Sequence, residues 1–324
     1  LSLHDALPIW NPLFLLGEKI MEKSLFSEQK RFYKTILQGI NNMIHTFELE
    51  IIRYIQQIRT PFFDGFFTLW HFFDRPEFFC VLIPAIWLIK GQKTGIKLFC
   101  LLLFSGSINA LLKSLFASPR PFHIDPKLGL LSITGYGLPS GAAQTVMLLS
   151  ALVFTSWKSS YKWALIFPYI LLVSFARVYL GIHFPTDILA GWSVGVTLWI
   201  CYRYFSPYLE NKISKLSFSS KFLIFQTPLF LGIIFLRSVD NMYASVSALG
   251  IGLGVLLNQW LRWQLPPVFS RKEKIQRAFI GILGTFFCYK AFYFSPLIAF
   301  FSIGLWVSTG SLWVCKKIQK LQQV

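Results

Sequence analysis

Three short polar segments interrupt the apolar sequence between residues 113 and 187, and they read Lys113-Ser-Leu-Phe-Ala-Ser-Pro-Arg120-Pro121, Pro139-Ser140-Gly141-Ala142 and Arg177-Val-Tyr-Leu-Gly-Ile-His183-Phe-Pro-Thr-Asp187. Each segment lies at the end of a hydrophobic run. The cationic side chains would repel one another if they were gathered in one place, unless an anion normally sits among them. The three segments therefore predict a binding site for a phosphoryl group.

The composition of the chain indicates an integral membrane protein. Of its 324 residues, 54% are hydrophobic and only 14% are charged, and the mean hydropathy is +0.55. Soluble domains carry about 25% charged residues. The net charge of +17 does not indicate nucleic-acid binding, because the cations fall in short clusters between apolar runs. The five cysteines show no spacing typical of metal ligands.

The hydrophobic runs predict an all-α, polytopic bundle of transmembrane helices. We expect an amphipathic interfacial helix around residues 47–58 and a short tilted or re-entrant helix at 61–73. The predicted spans then follow at about 77–90, 95–113, 141–157, 162–179, 187–204, 221–237, 243–261, 276–291 and 295–315.

We expect three parts along the chain: a partly interfacial N-terminal segment (1–44), a core that holds the polar segments (45–205), and a C-terminal extension of about four transmembrane helices (206–324). The extension is expected to brace the core or mediate contacts in a homodimer. The alternative is that it forms one wall of the path by which a lipid reaches the site.

The distribution of basic residues predicts the orientation in the membrane. Seventeen Lys and Arg residues fall on one side of the predicted spans and six on the other. Basic loops are retained on the cytoplasmic side, so we expect the C-terminus to be cytoplasmic. All three polar segments then lie on the opposite, outer side.

The spacing within the segments suits nucleophilic attack on phosphorus. Ser140 and Gly141 directly precede an apolar run, so they are expected at a helix N-terminus, where unpaired N–H groups favour an anion. Asp187 follows His183 by four residues, which is one helical turn if a helix starts at Pro185. A carboxylate in that position can accept the N–H of one imidazole nitrogen and leave the other free to attack.

Together the three segments resemble the signature of the type 2 phosphatidic acid phosphatase superfamily, the lipid phosphate phosphatases that share their site with vanadium haloperoxidases. The flanking residues 109–113, 136–141 and 179–187 are similar to those of bacterial members and of sphingosine-1-phosphate phosphatases. The resemblance covers about residues 45–205 and implies a six-helix-type core. It also implies hydrolysis of a lipid phosphate through a phosphohistidine, without a metal or other cofactor.

The resemblance also implies roles for individual residues. His183 would be the nucleophile and Asp187 would orient it. The phosphoryl oxygens would be held by Lys113, Arg120, Ser140, Gly141 and Arg177.

One residue departs from the family pattern. The second motif of the family reads Pro-Ser-Gly-His, whereas this chain has Ala142 at the fourth position. The resemblance gives the missing histidine the role of general acid, which contributes about 10²–10⁴ in rate, so we expect the chain to be slow or inactive. Ala142 is either an engineered replacement or the mark of a natural pseudoenzyme, and the retention of all the other motif residues favours the first.

His71 and His123 are the candidates to replace the lost acid, but an interfacial histidine is the interpretation we favour for each.

The substrate is expected to be a lipid that enters sideways from the bilayer, in a bacterial inner membrane with the site facing the periplasm. A polyprenyl diphosphate, a phosphatidate-type lipid and a sphingoid-base phosphate all satisfy this expectation. A diphosphate should suffer least from Ala142, because its leaving group needs less protonation. Two other functions stay open: a non-catalytic lipid-phosphate binder, and a phosphotransferase that passes the phosphoryl group to a second lipid.

Overall fold

The structure is a computed structural model, and it describes residues 43–131, 133–217, 219–224, 226, 239–264 and 270–321. Within these ranges all regular secondary structure is helical, which confirms the all-α prediction. Residues 1–42 of the predicted segment 1–44 and most of the predicted span 221–237 lie outside the described residues.

Eleven labelled helices account for most of the described chain. In chain order they are α1 (43–55), α2 (Pro61–His71), α3 (Pro76–Lys90), α4 (Gln92–Phe116), α5 (Gly141–Ser156), α6 (Lys162–Tyr179), α7 (Pro185–Ser214), α8 (Val239–Trp260), α9 (Arg271–Ala291), α10 (Pro296–Leu305) and α11 (Ser311–Leu321). A π-helical turn, Trp306–Gly310, joins the last two. Helix α1 belongs to a compact unit that ends at Ile55, and the later helices belong to the unit Gln56–Val324.

Local sequence signals set several helix starts. Pro61, Pro76 and Pro185 each occupy the first position of a helix, where the missing N–H of proline would have no helical partner in any case. Ser140 caps α5, since its Oγ accepts a hydrogen bond from the Ala143 N–H at 3.4 Å. These caps fix where the polar segments begin and end, and they match the helix starts expected from the sequence.

The helices make the chain an integral membrane protein. Within the described ranges, four segments are long and apolar enough to cross a bilayer, namely Gln92–Ile124, Lys162–Tyr179, Met242–Trp260 and Pro296–Gln319, and α5 is a shorter apolar helix. Large apolar side chains on them point outward, among them Leu115, Leu165 and Phe167, each more than half exposed. Such a surface suits hydrocarbon rather than water.

Helix α7 is longer than predicted. It ends at Ser214, whereas the span predicted from the sequence ends near residue 204. The additional turns contain Glu210. There it pairs with Lys93, at 3.1 Å, and with Lys97, both near the start of α4.

The site depends on close packing between α5 and α7. A Cβ atom built on Gly191 would lie only 2.5 Å from the carbonyl oxygen of Ser140. A glycine at this position therefore lets the N-terminus of α5 approach the first turns of α7.

The C-terminal helices pack against the core rather than standing apart from it. Trp87 and Leu88 of α3 and Phe99 of α4 share a buried cluster with Ala248 and Ile251 of α8, and with residues of α9, α10 and the π-helical turn. Burial of this cluster holds α3 and α4 in place, and α4 carries Lys113 at its far end.

Candidate active site

The three polar segments come together around one loop, residues 180–184, between α6 and α7. The Ser140 N–H donates to the carbonyl oxygen of Asp187 at 2.9 Å, which joins the second segment to the third. Nη1 of Arg120 donates to the carbonyl oxygen of Ile182 at 2.9 Å, which joins the first segment to the third. The chemistry of the three segments predicts this convergence.

His183 and Asp187 form a buried pair. Nδ1 of His183 lies 3.1 Å from Oδ2 of Asp187, and the same oxygen accepts the Phe184 N–H at 3.0 Å. Both side chains are almost fully buried. A carboxylate only accepts, so Nδ1 carries the ring proton and Nε2 keeps its lone pair.

Nε2 of His183 faces a cation. It lies 3.2 Å from Nη1 of Arg120, and a guanidinium can only donate. The side chain of Arg120 is in turn fixed by its Nε, which donates to the carbonyl oxygen of Gly135 at 2.8 Å. Arg120 is therefore a fixed, buried donor next to the one imidazole nitrogen that has a lone pair.

The surroundings lower the pKa of His183 well below its ordinary value of 6.5. Burial is the largest cause, and the charges of Arg120, Lys113 and Arg177 act in the same direction, while a hydrogen bond with the Gly137 backbone opposes them. His183 lies in a loop outside the membrane-spanning segments, and it stays neutral at physiological pH. A neutral ring is the form that can attack phosphorus.

Two more cations reach the site from other helices. Lys113 lies in the last turn of α4, which ends at Ala117 in a left-handed conformation. Arg177 lies in the last turn of α6 and is fully buried, and its carbonyl oxygen accepts the His183 N–H at 3.3 Å. Both side chains are near enough to His183 to lower its pKa.

Ser140 and Gly141 form the N-terminus of α5, supported from below by a polar chain. Nδ2 of Asn109 donates to the carbonyl oxygen of Pro139 at 3.2 Å and to Oε1 of Gln144 at 2.9 Å. Gln144 donates onward to Ser105. Gln144 is not among the site residues predicted from the sequence, although a buried amide in an apolar run is a signal for such support.

Position 142 is enclosed by apolar side chains. Ala142 is 1% exposed and shares a cluster with Val146 and Val173. Trp70 and Phe73, from the end of α2 and the turn after it, pack against that cluster.

The structure places the two candidate replacement histidines differently. His71, at the end of α2, contacts the guanidinium of Arg177 through Nδ1, and its carbonyl oxygen lies 3.5 Å from Nη2 of the same residue. The side chain of His123 is exposed, and its Nδ1 accepts the Arg120 N–H at 3.1 Å. His71 therefore adjoins a site residue, which the sequence interpretation as an interfacial histidine did not anticipate.

The fold and this site define a polytopic helical membrane protein with a buried His–Asp pair among three cations. Among the residues that the structure describes, no three His, Cys, Asp or Glu side chains come together as ligands for a metal ion.

Comparison with known proteins gives the family. The sequence model of the PAP2 superfamily matches residues 94–210. An undecaprenyl-diphosphatase of Sulfolobus acidocaldarius is 30% identical over 169 residues, which cover 50% of this chain and 79% of that relative. The chain belongs to the PAP2 superfamily, which confirms the resemblance drawn from the three polar segments.

Two further similarities extend the comparison. A probable sphingosine-1-phosphate phosphatase of Dictyostelium discoideum is 26% identical over 281 residues, covering 80% of this chain and 68% of the relative. The crystal structure of a transmembrane PAP2-type phosphatidylglycerolphosphate phosphatase from Bacillus subtilis has a TM-score of 0.44 and 24% identity. It covers 52% of this chain and 88% of that one.

Proposed function

We propose that the chain is an integral-membrane phosphatase that hydrolyses a lipid phosphate or diphosphate, with His183 as the nucleophile. The observation that carries this proposal is the pair of contacts on one imidazole: Nδ1 to Asp187 and Nε2 to Arg120. They keep the attacking lone pair in place beside a donor for phosphoryl oxygens. Membership of the PAP2 superfamily and relatives named as a diphosphatase and a lipid phosphatase support the same reaction class.

The first step transfers the phosphoryl group to the protein. A phosphoryl oxygen takes over the hydrogen bond from Arg120, which frees Nε2 of His183 to bond to phosphorus while the ester P–O bond breaks. Arg120, Lys113, Arg177, the Ser140 hydroxyl and the amide at Gly141 stabilise the charge on the transferring group. Asp187 stabilises the positive charge that develops on the ring.

The second step returns the phosphoryl group to water. A water molecule bonds to phosphorus as the P–N bond breaks, and His183 recovers its lone pair. The same cations hold the phosphoryl oxygens in both steps, so one pocket serves the whole cycle.

Ala142 cannot transfer a proton, so the leaving oxygen of an alkyl phosphate must take its proton from another group, or the reaction is slowed by about 10²–10⁴. A diphosphate needs less help, because its leaving group is itself a phosphate. On this ground a polyprenyl diphosphate is the substrate class that Ala142 disfavours least. Turnover of a diphosphate and a monophosphate lipid by the same preparation measures this preference.

The membrane setting completes the proposal. The excess of basic residues on one side supports a cytoplasmic C-terminus and a site on the outer side, the periplasm in a bacterial inner membrane. A lipid substrate then reaches residues 113–187 from the bilayer. The segment 45–205 is the phosphatase core, and the extension 206–324 braces it through the cluster around Trp87.

Phosphate release from a panel of lipid phosphates and diphosphates in detergent tests the proposal. We expect release by the unaltered chain and none by His183→Ala, while His45→Ala, which removes an imidazole bonded to Glu48 in α1, keeps full activity. Transfer of the phosphoryl group to a second lipid without release would indicate a phosphotransferase. Binding of the lipid with neither reaction would indicate a carrier or binding protein.

A further inference from the structure

The end of α2 closes the space next to position 142. Trp70 and Phe73 pack against the cluster that contains Ala142, Val146 and Val173, and Ala142 is 1% exposed. The position at which the family carries an imidazole is therefore filled by apolar atoms. Trp70 and Phe73 come from one short stretch of chain, residues 70–73, and Tyr169 and Ile170 of α6 pack against the same cluster.

His71 lies within that stretch and contacts a residue of the site. Its Nδ1 meets Nη1 of Arg177, and its carbonyl oxygen lies 3.5 Å from Nη2 of the same guanidinium. The carbonyl oxygen of Arg177 in turn accepts the backbone N–H of His183. One fully buried arginine therefore contacts both His71 and the loop that carries the nucleophile.

We propose that His71 supplies the imidazole that position 142 lacks, and that it donates the proton to the leaving oxygen. This inference rests on the proposed function, because it assigns a second group to the same reaction. Arg177 is expected to hold a phosphoryl oxygen, so a side chain that contacts Arg177 lies beside the bound group.

The charges around His71 allow this role. A guanidinium cannot accept a hydrogen bond, so Nδ1 accepts from Arg177 and the proton of the neutral ring is on Nε2. A bound phosphoryl group brings negative charge next to both residues, which favours the protonated imidazolium. A phosphoryl oxygen that accepts the hydrogen bond of Arg177 in place of Nδ1 frees that nitrogen. His71 then takes up a proton on Nδ1 when substrate binds and can donate the one on Nε2.

The protons and bonds balance over the cycle. In the first step Nε2 of His183 bonds to phosphorus, the P–O bond to the lipid breaks, and the leaving oxygen takes a proton from the His71 imidazolium. In the second step neutral His71 takes a proton from water, the resulting hydroxide oxygen bonds to phosphorus, and the P–N bond breaks. Phosphate leaves, and both histidines return to their starting forms.

Leaving groups of different acidity separate proton donation from mere positioning of Arg177. We would measure kcat and KM for His71→Ala and His71→Gln in the full-length chain, with a sphingoid-base phosphate and with p-nitrophenyl phosphate. The alkoxide of the first needs a proton, whereas the nitrophenolate of the second leaves without one. Glutamine keeps a hydrogen-bond acceptor for Arg177 but cannot donate a proton as an acid.

We expect both variants to lower kcat for the sphingoid-base phosphate by about 10²–10⁴, and to lower it for p-nitrophenyl phosphate by less than about tenfold. Equal losses on the two substrates, recovery of activity in His71→Gln, or an unchanged rate on the lipid would each overturn the inference. A thermal melt of each variant checks that it is folded, and His71→Gln serves if His71→Ala is not.

His183→Ala separates this inference from the proposed function. If the unaltered chain releases phosphate only when His183 is present, the proposed function stands whatever the His71 variants do. If the unaltered chain releases none from either substrate, the proposed function fails and the assignment of His71 fails with it.

Discussion

Replacing Asp187 by asparagine should have a much smaller effect than replacing it by alanine, and the reason lies in a second hydrogen bond. Oδ2 of Asp187 accepts both Nδ1–H of His183 and the backbone N–H of Phe184. Two donors point at one oxygen, so the amide of an asparagine must place its oxygen there and its NH₂ group away. The ring of His183 then keeps its proton on Nδ1 and its lone pair on Nε2.

The size of the effect follows from the charge of the acceptor. A hydrogen bond to a charged group contributes about 1.5–3 kcal/mol and one between neutral groups about 0.5–1.5 kcal/mol. Asp187→Asn therefore weakens the support of the ring by about 1–2 kcal/mol, which corresponds to a loss of about 5- to 30-fold in kcat. Asp187→Ala removes the acceptor altogether, and we expect a loss of about 10² or more, because the whole hydrogen bond to a charged group, about 1.5–3 kcal/mol, is lost and the ring is no longer held in the attacking tautomer.

The assay is kcat for phosphate release by Asp187→Asn, Asp187→Ala and, as a control on the same helix, Ser193→Ala, whose exposed hydroxyl only donates to the Leu189 carbonyl oxygen. Asp187→Ala also leaves two buried donors without an acceptor, so this variant should have the lowest melting temperature of the three. Equal losses of kcat in Asp187→Asn and Asp187→Ala would refute the reasoning. They would mean that the asparagine amide turns its NH₂ group toward His183 and changes the tautomer of the ring. No loss for either would remove Asp187 from the mechanism.

Three further predictions concern pH, packing and position 142. Because the folded-state pKa of His183 lies below 6.5, the ring stabilises the fold fully above pH 6.5 and loses that contribution as the pH falls below it. Melting temperature should therefore drop below pH 6.5, and His183→Gln should flatten this drop; an identical slope in the variant would contradict the assignment. Gly191→Ala should destabilise the protein by about 1–3 kcal/mol in denaturant unfolding, because its Cβ would meet the Ser140 carbonyl oxygen. The control Gly106→Ala, with open space around its Cβ, should not. Ala142→His should also lower stability by about 1–3 kcal/mol, because Trp70 and Phe73 close the space; an unchanged melting temperature would show that the cluster has room for the ring.

Much of the fold could be predicted from the sequence because hydrophobic runs bounded by proline, glycine or charge define membrane helices directly. The observed bounds of α3, α5, α6 and α8 fall within a few residues of those expected. The end of α7 could not be placed, because Glu210 is polar in the sequence but is paired with lysines of another helix. These ion pairs lie in the turns of α7 beyond its predicted end.

The residues of the site likewise divide into those that the sequence indicated and those that it did not. Lys113, Arg120, Arg177, His183 and Asp187 are charged or titratable residues in an apolar chain, so their type and spacing marked them. The residue type made His71 a candidate for the lost acid, but its contact with Arg177 was hidden, because it joins positions far apart in the sequence through the packing of α2 on α6. The apolar enclosure of Ala142 was equally hidden, since Trp70 and Phe73 resemble any other aromatic residues of a membrane helix.

The most direct test of the account is to trap the intermediate on His183. The protein is mixed with a lipid phosphate carrying a radiolabelled phosphoryl group, quenched in base, and digested for mass spectrometry. We predict a base-stable, acid-labile phosphoryl group on His183 that is absent from His183→Ala. Rapid phosphate release with no label on the protein, or a label on another residue, would contradict the central claim.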